Sequence, residues 1–279
     1  MTPGFALPAD LQARRLERWQ QTPTTRIPDA DAAALLIKRL GLVTLYAVSP
    51  EIPNLFHAYV GDPQAKPAAE WESPSGEVYG WRWALGRQEA ACYTAIVRSR
   101  PTWVSWTLLP ALLRLRGTLQ TPEELYRAGE LSDNAQRVAQ ALAASGGVLS
   151  TGELRQQAGF PTGKSQRAAY LKAVEELDTR LMLAKVFAQD DTDMRHALVA
   201  TRYPDAVAAA EALTMDAALD QLLQVYLPAA VYAAPVVLAK HVKLPERLLQ
   251  ARLERLVETG TVTAMPLPGY KGTCYVWQG

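Results

Sequence analysis

The chain has 279 residues, of which 49% are hydrophobic and 20% charged, a balance that excludes a disordered protein and leaves room for two to three domains with cores of their own. A formal net charge of +1 excludes a uniformly basic nucleic-acid binder, so any basic surface must be local. The local excess lies in residues 1–118, with 13 Lys/Arg against 10 Asp/Glu, whereas residues 119–205 carry 10 against 12 and residues 206–279 carry 6 against 6.

Residues 1–28 are interrupted by Pro and Thr and contain one short amphipathic piece, LQARRLERW, which reads as an arm or leading helix. Asp29 and Asp31 are N-cap candidates for the helix AAALLIKRLGL, which Gly41 ends. A second helical piece, EIPNLFHAYVG, stops at Gly61, and the Pro/Ser-rich DPQAKPAAEWESPSG reads as a connecting loop. In EVYGWRWAL the alternation of Tyr79, Trp81 and Trp83 with Val78, Gly80, Arg82 and Ala84 predicts a strand. QEAACYTAIVR then has helical spacing, TWVSW reads as a strand and LLPALLRLRG as a closing helix, giving a mixed unit over residues 29–118.

The next unit, residues 119–205, contains a helix capped by Ser132 and stopped by Gly146-Gly147, then the short helix STGELRQQAG, the turn FPTG and the long helix KSQRAAYLKAVEELDTR. Two strands, LMLAKVFAQ and MRHALVATR, follow around the acidic turn DDTD. That order is the winged-helix order, and residues 206–279 repeat it with DAALDQLLQVYL, PVVLAKHV, ERLLQARLERLVETG and a hairpin turning at PGYKG. The fold class expected is therefore α+β, mainly α, in tandem winged-helix-turn-helix modules.

The stretch AGFPTGKSQR, residues 158–167, imitates a phosphate loop. Such a loop needs GxxxxGK[ST] between a buried strand and a helix. Here the position six residues before Lys164 is Ala158, and the preceding GELRQQA is polar and helical. The residues fit a helix-turn-helix corner instead, in which Gly159 ends one helix, Pro161 sets the turn and Thr162 to Ser165 begin the next. No nucleotide or other cofactor is expected. On the long helix Leu171, Val174 and Leu181 make the core stripe, with Leu177 at its margin and Asp178 within it. If this is a recognition helix, its first turn brings Lys164, Ser165, Gln166 and Arg167 to a DNA groove, with Tyr170 beside them; the alternative is a winged helix used for packing or protein contacts. Glu175, Glu176 and Asp178 make the later half repel phosphates.

The chain resembles the bacterial winged-helix DNA glycosylases of the AlkZ and YcaQ type. The resemblance runs from about Arg26 to the C-terminus, through RLGLVTLYAVSPEIPNLFHAY, GGVLSTGELRQQAGFPTGKSQRAAYLKAVEEL and the terminal hairpin. It implies three winged-helix modules, the first divergent, with DNA as partner and excision of alkylated purines or opening of crosslinks as the activity. The family's catalytic Gln-x-Gln or Gln-x-Asp triplet directly follows the Leu-Gly-x-Val stretch; here that place reads Thr44-Leu45-Tyr46. Three alternatives stay open. The chain binds damaged or structured DNA without the family's chemistry, or it excises bases with Thr44, Tyr46 or Glu51 in place of the triplet, or it is a protein-interaction scaffold.

Further DNA contacts are expected from Arg82 and Arg87, solvated beside the aromatic strand, and from Arg195 and Lys271 at wing tips. The aromatic set Trp71, Tyr79, Trp81, Trp83, Trp103 and Trp106 reads chiefly as core, with base stacking as the alternative. His57, His196 and His241 lie in separate elements without ligand spacing, so no metal site is expected. Cys92 and Cys274 read as two reduced thiols. The longest apolar run, Leu227 to Ala239, is broken by Pro228 and Pro235, and the first residues lack a secretory leader pattern. The expected location is cytoplasmic and nucleoid-associated.

Overall fold

The computed structural model describes residues 7–189 and 194–279. The chain opens with α1 (Ala9–Arg18), then α2 (Ala30–Leu40), β1 (Leu42–Thr44), α3 (Leu55–Val60), α4 (Pro74–Arg87), β2 (Cys92–Val97), β3 (Arg100–Val104) and α5 (Leu109–Leu115). It continues with α6 (Pro122–Arg127), α7 (Asp133–Ala144), β4 (Leu149–Ser150), α8 (Thr151–Gln157), α9 (Lys164–Thr179), β5 (Leu183–Phe187) and β6 (Met194–Leu198). Two short helices, α10 (Val199–Arg202) and α11 (Pro204–Ala212), lead to α12 (Met215–Ala230), β7 (Tyr232–Ala233), α13 (Pro235–Val242), α14 (Glu246–Glu258), β8 (Val262–Pro266) and β9 (Thr273–Trp277).

The fold is α+β, with helices around small antiparallel sheets. Three stretches share one order of helix, strand, helix, helix, strand, strand, beginning at α2, α7 and α12. In each sheet the last strand is central, giving β1-β3-β2, β4-β6-β5 and β7-β9-β8. Local chemistry explains the helix starts: Asp29, Asn54, Ser73, Ser132 and Thr214 each accept a backbone N–H of the first turn. Thr121 with Glu124, and Ser150 with Glu153, form capping boxes. Gly159, with φ 71°, lies in the short turn between α8 and the start of α9 at Lys164.

Two elements of the first repeat are the reverse of the expected ones. EVYGWRWAL is helical, within α4, because Ser73 caps it, Pro74 suits its first turn and Val78, Trp81 and Leu85 form a buried helical stripe. The alternating aromatics mimic a strand. CYTAIV is strand β2, where β-branched and aromatic side chains pack on a pleated surface, paired in register with β3 through Tyr93 and Trp103. On α9 the buried residues are Tyr170, Ala173, Val174 and Leu177, at i, i+3, i+4 and i+7, whereas Leu171 is exposed. The true stripe is rotated by about one residue, and Tyr170 faces the core.

The cores are shared. One runs from β2 and β3 through α5 into α12 and α14, and a second joins Trp19, α2, α4 and Trp103 to Phe187 of β5 and Ala229 of α12. A Cβ at Gly86 would run into the Phe187 ring, so this glycine lets β5 press against α4. The acidic turn Asp190 to Asp193 lies outside the described residues.

The middle repeat buries a polar chain. Lys185 Nζ donates to Asp178 Oδ2 (3.2 Å) and to Nδ1 of His196 (3.2 Å). With Nδ1 accepting, Nε2 carries the proton and faces Thr151 Oγ1 at 3.1 Å. Burial, aided by the Lys185 ammonium, pushes His196 down to about 3, and burial pushes Asp178 up despite Lys185. The imidazole is therefore neutral in the fold, while the unfolded chain protonates it below about 6.5. Between those values the unfolded state holds the extra proton, so this group's stability contribution is lost as pH falls from about 6.5 toward 3. At pH 5 the loss is roughly 2 kcal/mol. Asp178 shifts the balance the other way, so the comparison must be between variants. His196→Gln is expected to show a smaller drop in urea midpoint between pH 7 and pH 5 than the parent; equal drops would assign the acid sensitivity elsewhere.

Candidate functional site

A cleft of about 660 Å³ opens on the first repeat. Its walls are the segment Leu45–Val48 after β1, Tyr79 and Arg82 of α4, Tyr93 of β2, and Arg98, Arg100 and Pro101 at the β2–β3 turn. Three arginines from two parts of the repeat thus face one cavity. Arg98 and Ser99 form a tight hairpin turn with φ of 50° and 58°, a left-handed backbone that usually takes Asn or Gly. From there Arg98 Nη1 donates to the Val48 carbonyl (3.1 Å), joining the turn to the opposite wall. The Arg82 guanidinium lies 3.5 Å from the centre of the Tyr79 ring and 5.0 Å from that of Trp83, and its Nε is buried without a hydrogen-bond partner.

The polar groups in the cleft are cations and phenols. Burial raises Tyr46, with Tyr79 adding to it and Arg82 opposing; burial also pushes Tyr93 up to about 12. Both phenols are protonated at neutral pH. Tyr46 spends its proton on the Ser75 carbonyl (2.8 Å). No carboxylate or amide side chain is among the lining residues. The site can neutralise an anion and offer an aromatic surface, but those walls hold no group suited to deprotonating water.

The three residues expected to replace a catalytic triplet are dispersed. Tyr46 lines the cleft. Thr44 is fully buried beneath it, with its hydroxyl near the carbonyls of Tyr46 (2.8 Å) and Pro53 (3.2 Å). Glu51 points elsewhere, and its carboxylate accepts from Ser49 Oγ and Tyr270 OH, both at 2.5 Å. Tyr270 in turn accepts from Tyr232 OH (2.6 Å), and Tyr232 accepts from Arg15 Nη1 (2.7 Å). Arg15 also donates to the carbonyls of Ala230 (2.9 Å) and Pro50 (3.1 Å). Burial, then the bond to Glu51, raises Tyr270 far above the usual phenol range. This run joins α1, the third repeat and the segment behind the cleft wall.

The expected DNA contacts are also spread out. Arg82 lines the cleft, whereas Arg87 is turned onto the Ala188 carbonyl (3.0 Å) rather than left solvated. Lys164, Ser165, Gln166 and Arg167 are exposed on the first turn of α9, away from the cleft lining. Tyr170 is a correction: it is buried against Phe160, ring centres 5.7 Å apart, and inaccessible to a groove. Arg195 is half-buried on β6, and Lys271 is exposed in the β8–β9 turn. Arg98 and Arg100 escape the sequence reading because it divides CYTAIVRSRPTWV between a helix and a strand, and the turn pair Arg98-Ser99 lacks the Asn or Gly that marks a hairpin; the only signal is the two β-rich runs on either side.

A family model described as AlkZ related matches residues 27–222. The chain belongs to the AlkZ-related family. That match contains β1, α4 and the β2–β3 turn, and so the whole cleft. A solved structure, the Streptomyces sahachiroi DNA glycosylase AlkZ, superposes with a TM-score of 0.57 at 14% identity, covering 95% of this chain and 69% of that one. At this identity the likeness concerns the fold. No curated protein matches the chain. Among the described residues no helix is long and apolar enough to cross a membrane.

Tyr270→Phe removes one of two hydrogen bonds to a buried carboxylate, so it should lower the unfolding free energy by about 2 kcal/mol. A urea titration of the two proteins measures this, and an unchanged midpoint would mean that the Tyr270 bond to Glu51 contributes nothing.

Proposed function

We propose that this AlkZ-related protein binds DNA through the first-repeat cleft and does not excise bases by the family's chemistry. The observation that carries the reading is the convergence of Arg82 from α4 with Arg98 and Arg100 from the hairpin on one cavity whose lining includes no acid. Such a cavity suits a phosphodiester, since guanidinium forks match phosphate oxygens. The second support is kinship with a family whose solved relative is named a DNA glycosylase. Against hydrolysis stand the burial of Thr44, the engagement of Glu51 with Ser49 and Tyr270, and the protonated Tyr46.

We read the three repeats as winged-helix modules, over 29–118, 119–205 and 206–279, preceded by an arm, 1–28. The support is their common strand order and the short corner between α8 and α9. In that reading α4 and the β2–β3 hairpin are the helix and wing of the first module. Lys164, Ser165, Gln166, Arg167 and Lys271 extend the phosphate contacts, and Arg195 supports the middle wing. The cationic face of the cleft favours an anionic ligand over a scaffold role, and a DNA-bound protein of this kind works in the cytoplasm, on the nucleoid.

The test is a salt series on DNA binding together with an abasic-site assay. The double substitution Arg98→Ala with Arg100→Ala is expected to weaken binding about tenfold or more and to reduce the slope of log K against log salt by about 2, one for each phosphate no longer neutralised. Alkylated DNA incubated with the parent protein is expected to gain no abasic sites. Absence of binding at low salt would overturn the reading, and abasic sites that disappear in Tyr46→Phe would restore the excision alternative.

A further inference from the structure

We propose that Trp71 is a base-stacking platform at the mouth of the cleft, selecting DNA that carries an unpaired nucleotide. This rests on the DNA-binding reading above and adds the substrate class. Trp71 is 69% exposed, an unusual state for the largest apolar side chain. It meets Tyr79 edge to face at 5.9 Å, and Tyr79 lines the cleft beneath the Arg82 guanidinium. The ring therefore touches a lining residue of the cationic site.

The loop that carries Trp71 is anchored. A Cβ at Gly76 would collide with the Trp71 carbonyl, so only glycine allows this main chain to lie on the first turn of α4. Ser73 Oγ donates to the Glu70 carbonyl (2.6 Å) and accepts the Gly76 amide (3.2 Å), while Ser75 Oγ accepts the Ala68 amide (2.9 Å). An exposed indole is thus held by a pinned backbone, the preorganisation that a recognition surface needs. The other tryptophans near the site are committed: Trp81 and Trp103 are buried, Trp83 packs on Phe187, and Trp106 bonds the Glu89 carbonyl.

Paired bases in a duplex have both faces covered, whereas an unpaired base offers its face to an indole. The phosphates beside that base would meet Arg82, Arg98 and Arg100. Stacking on an aromatic side chain tolerates any base, so the selection is for the unpaired state and not for sequence.

The experiment measures binding of the full chain to one labelled oligonucleotide in three forms: a perfect duplex, the same duplex with one bulged nucleotide, and the single strand. The bulged and single-stranded forms are expected to bind about tenfold more tightly than the duplex. Trp71→Ala should remove that preference and leave duplex binding unchanged, and Trp71→Phe should keep most of it. Arg98→Ala with Arg100→Ala should weaken all three forms alike. Equal affinity for the three forms, or a preference that survives Trp71→Ala, overturns the platform while leaving DNA binding intact. Failure of every form to bind at low salt overturns the DNA-binding reading and the platform with it.

Discussion

The run of hydrogen bonds from Arg15 through Tyr232 and Tyr270 to Glu51 is the constraint on which the cleft depends. Its four side chains come from the arm, the third repeat and the segment after β1. Each phenol has one proton, so the direction is set: Arg15 donates to Tyr232, Tyr232 to Tyr270, and Tyr270 to the carboxylate. A buried guanidinium and a buried carboxylate are thus hydrogen-bonded at the two ends of a pair of neutral phenols, which offsets part of the cost of burying them. The Leu45–Val48 wall lies directly before this anchored stretch, and Arg98 holds it from the other side at Val48. Removing the third repeat would release one of the two supports.

The same arrangement accounts for what the cleft lacks. Glu51 is the acid nearest in sequence to the place where a glycosylase of this family carries its polar triplet, and its oxygens are engaged on the far side of the wall. An oxocarbenium-like transition state needs negative charge or an oriented water, whereas the walls present positive charge and protonated phenols. A cation-lined cavity raises the affinity for phosphate and at the same time disfavours a developing sugar cation. Binding and excision therefore make opposite electrostatic demands on Arg82, Arg98 and Arg100, and it is the first that the proposed function assigns to this lining.

Much of this is legible in the sequence, and each failure has its own physical cause. The helices of the second and third repeats show themselves through caps and 3.6-residue stripes, and of Thr44-Leu45-Tyr46 the last two line the cleft. In EVYGWRWAL the aromatic alternation outweighs the Ser73-Pro74 start signal, because one face of α4 stacks with Arg82 and another packs inward, leaving aromatics at every second position. Tyr170 reads as a surface group because its hydroxyl is polar, although its ring fits the i, i+3, i+4 stripe of α9. The Arg15–Glu51 run has no trace in the sequence. It joins residues up to 255 positions apart, and neither propensity nor spacing carries information about such pairing.

The three repeats share an order but commit their hairpins differently. The middle hairpin presses Phe187 into α4 and the tryptophans of the first repeat. The turn of the third sends Tyr270 inward to Glu51. Only the turn of the first repeat, among the described residues, sets arginines on a cleft wall. Repetition therefore supplied three similar units, of which two hairpins became supports for the third. In a chain of near-neutral charge this brings Arg82, Arg98 and Arg100 to one cavity, while other exposed cations such as Lys164, Arg167 and Lys271 lie away from it.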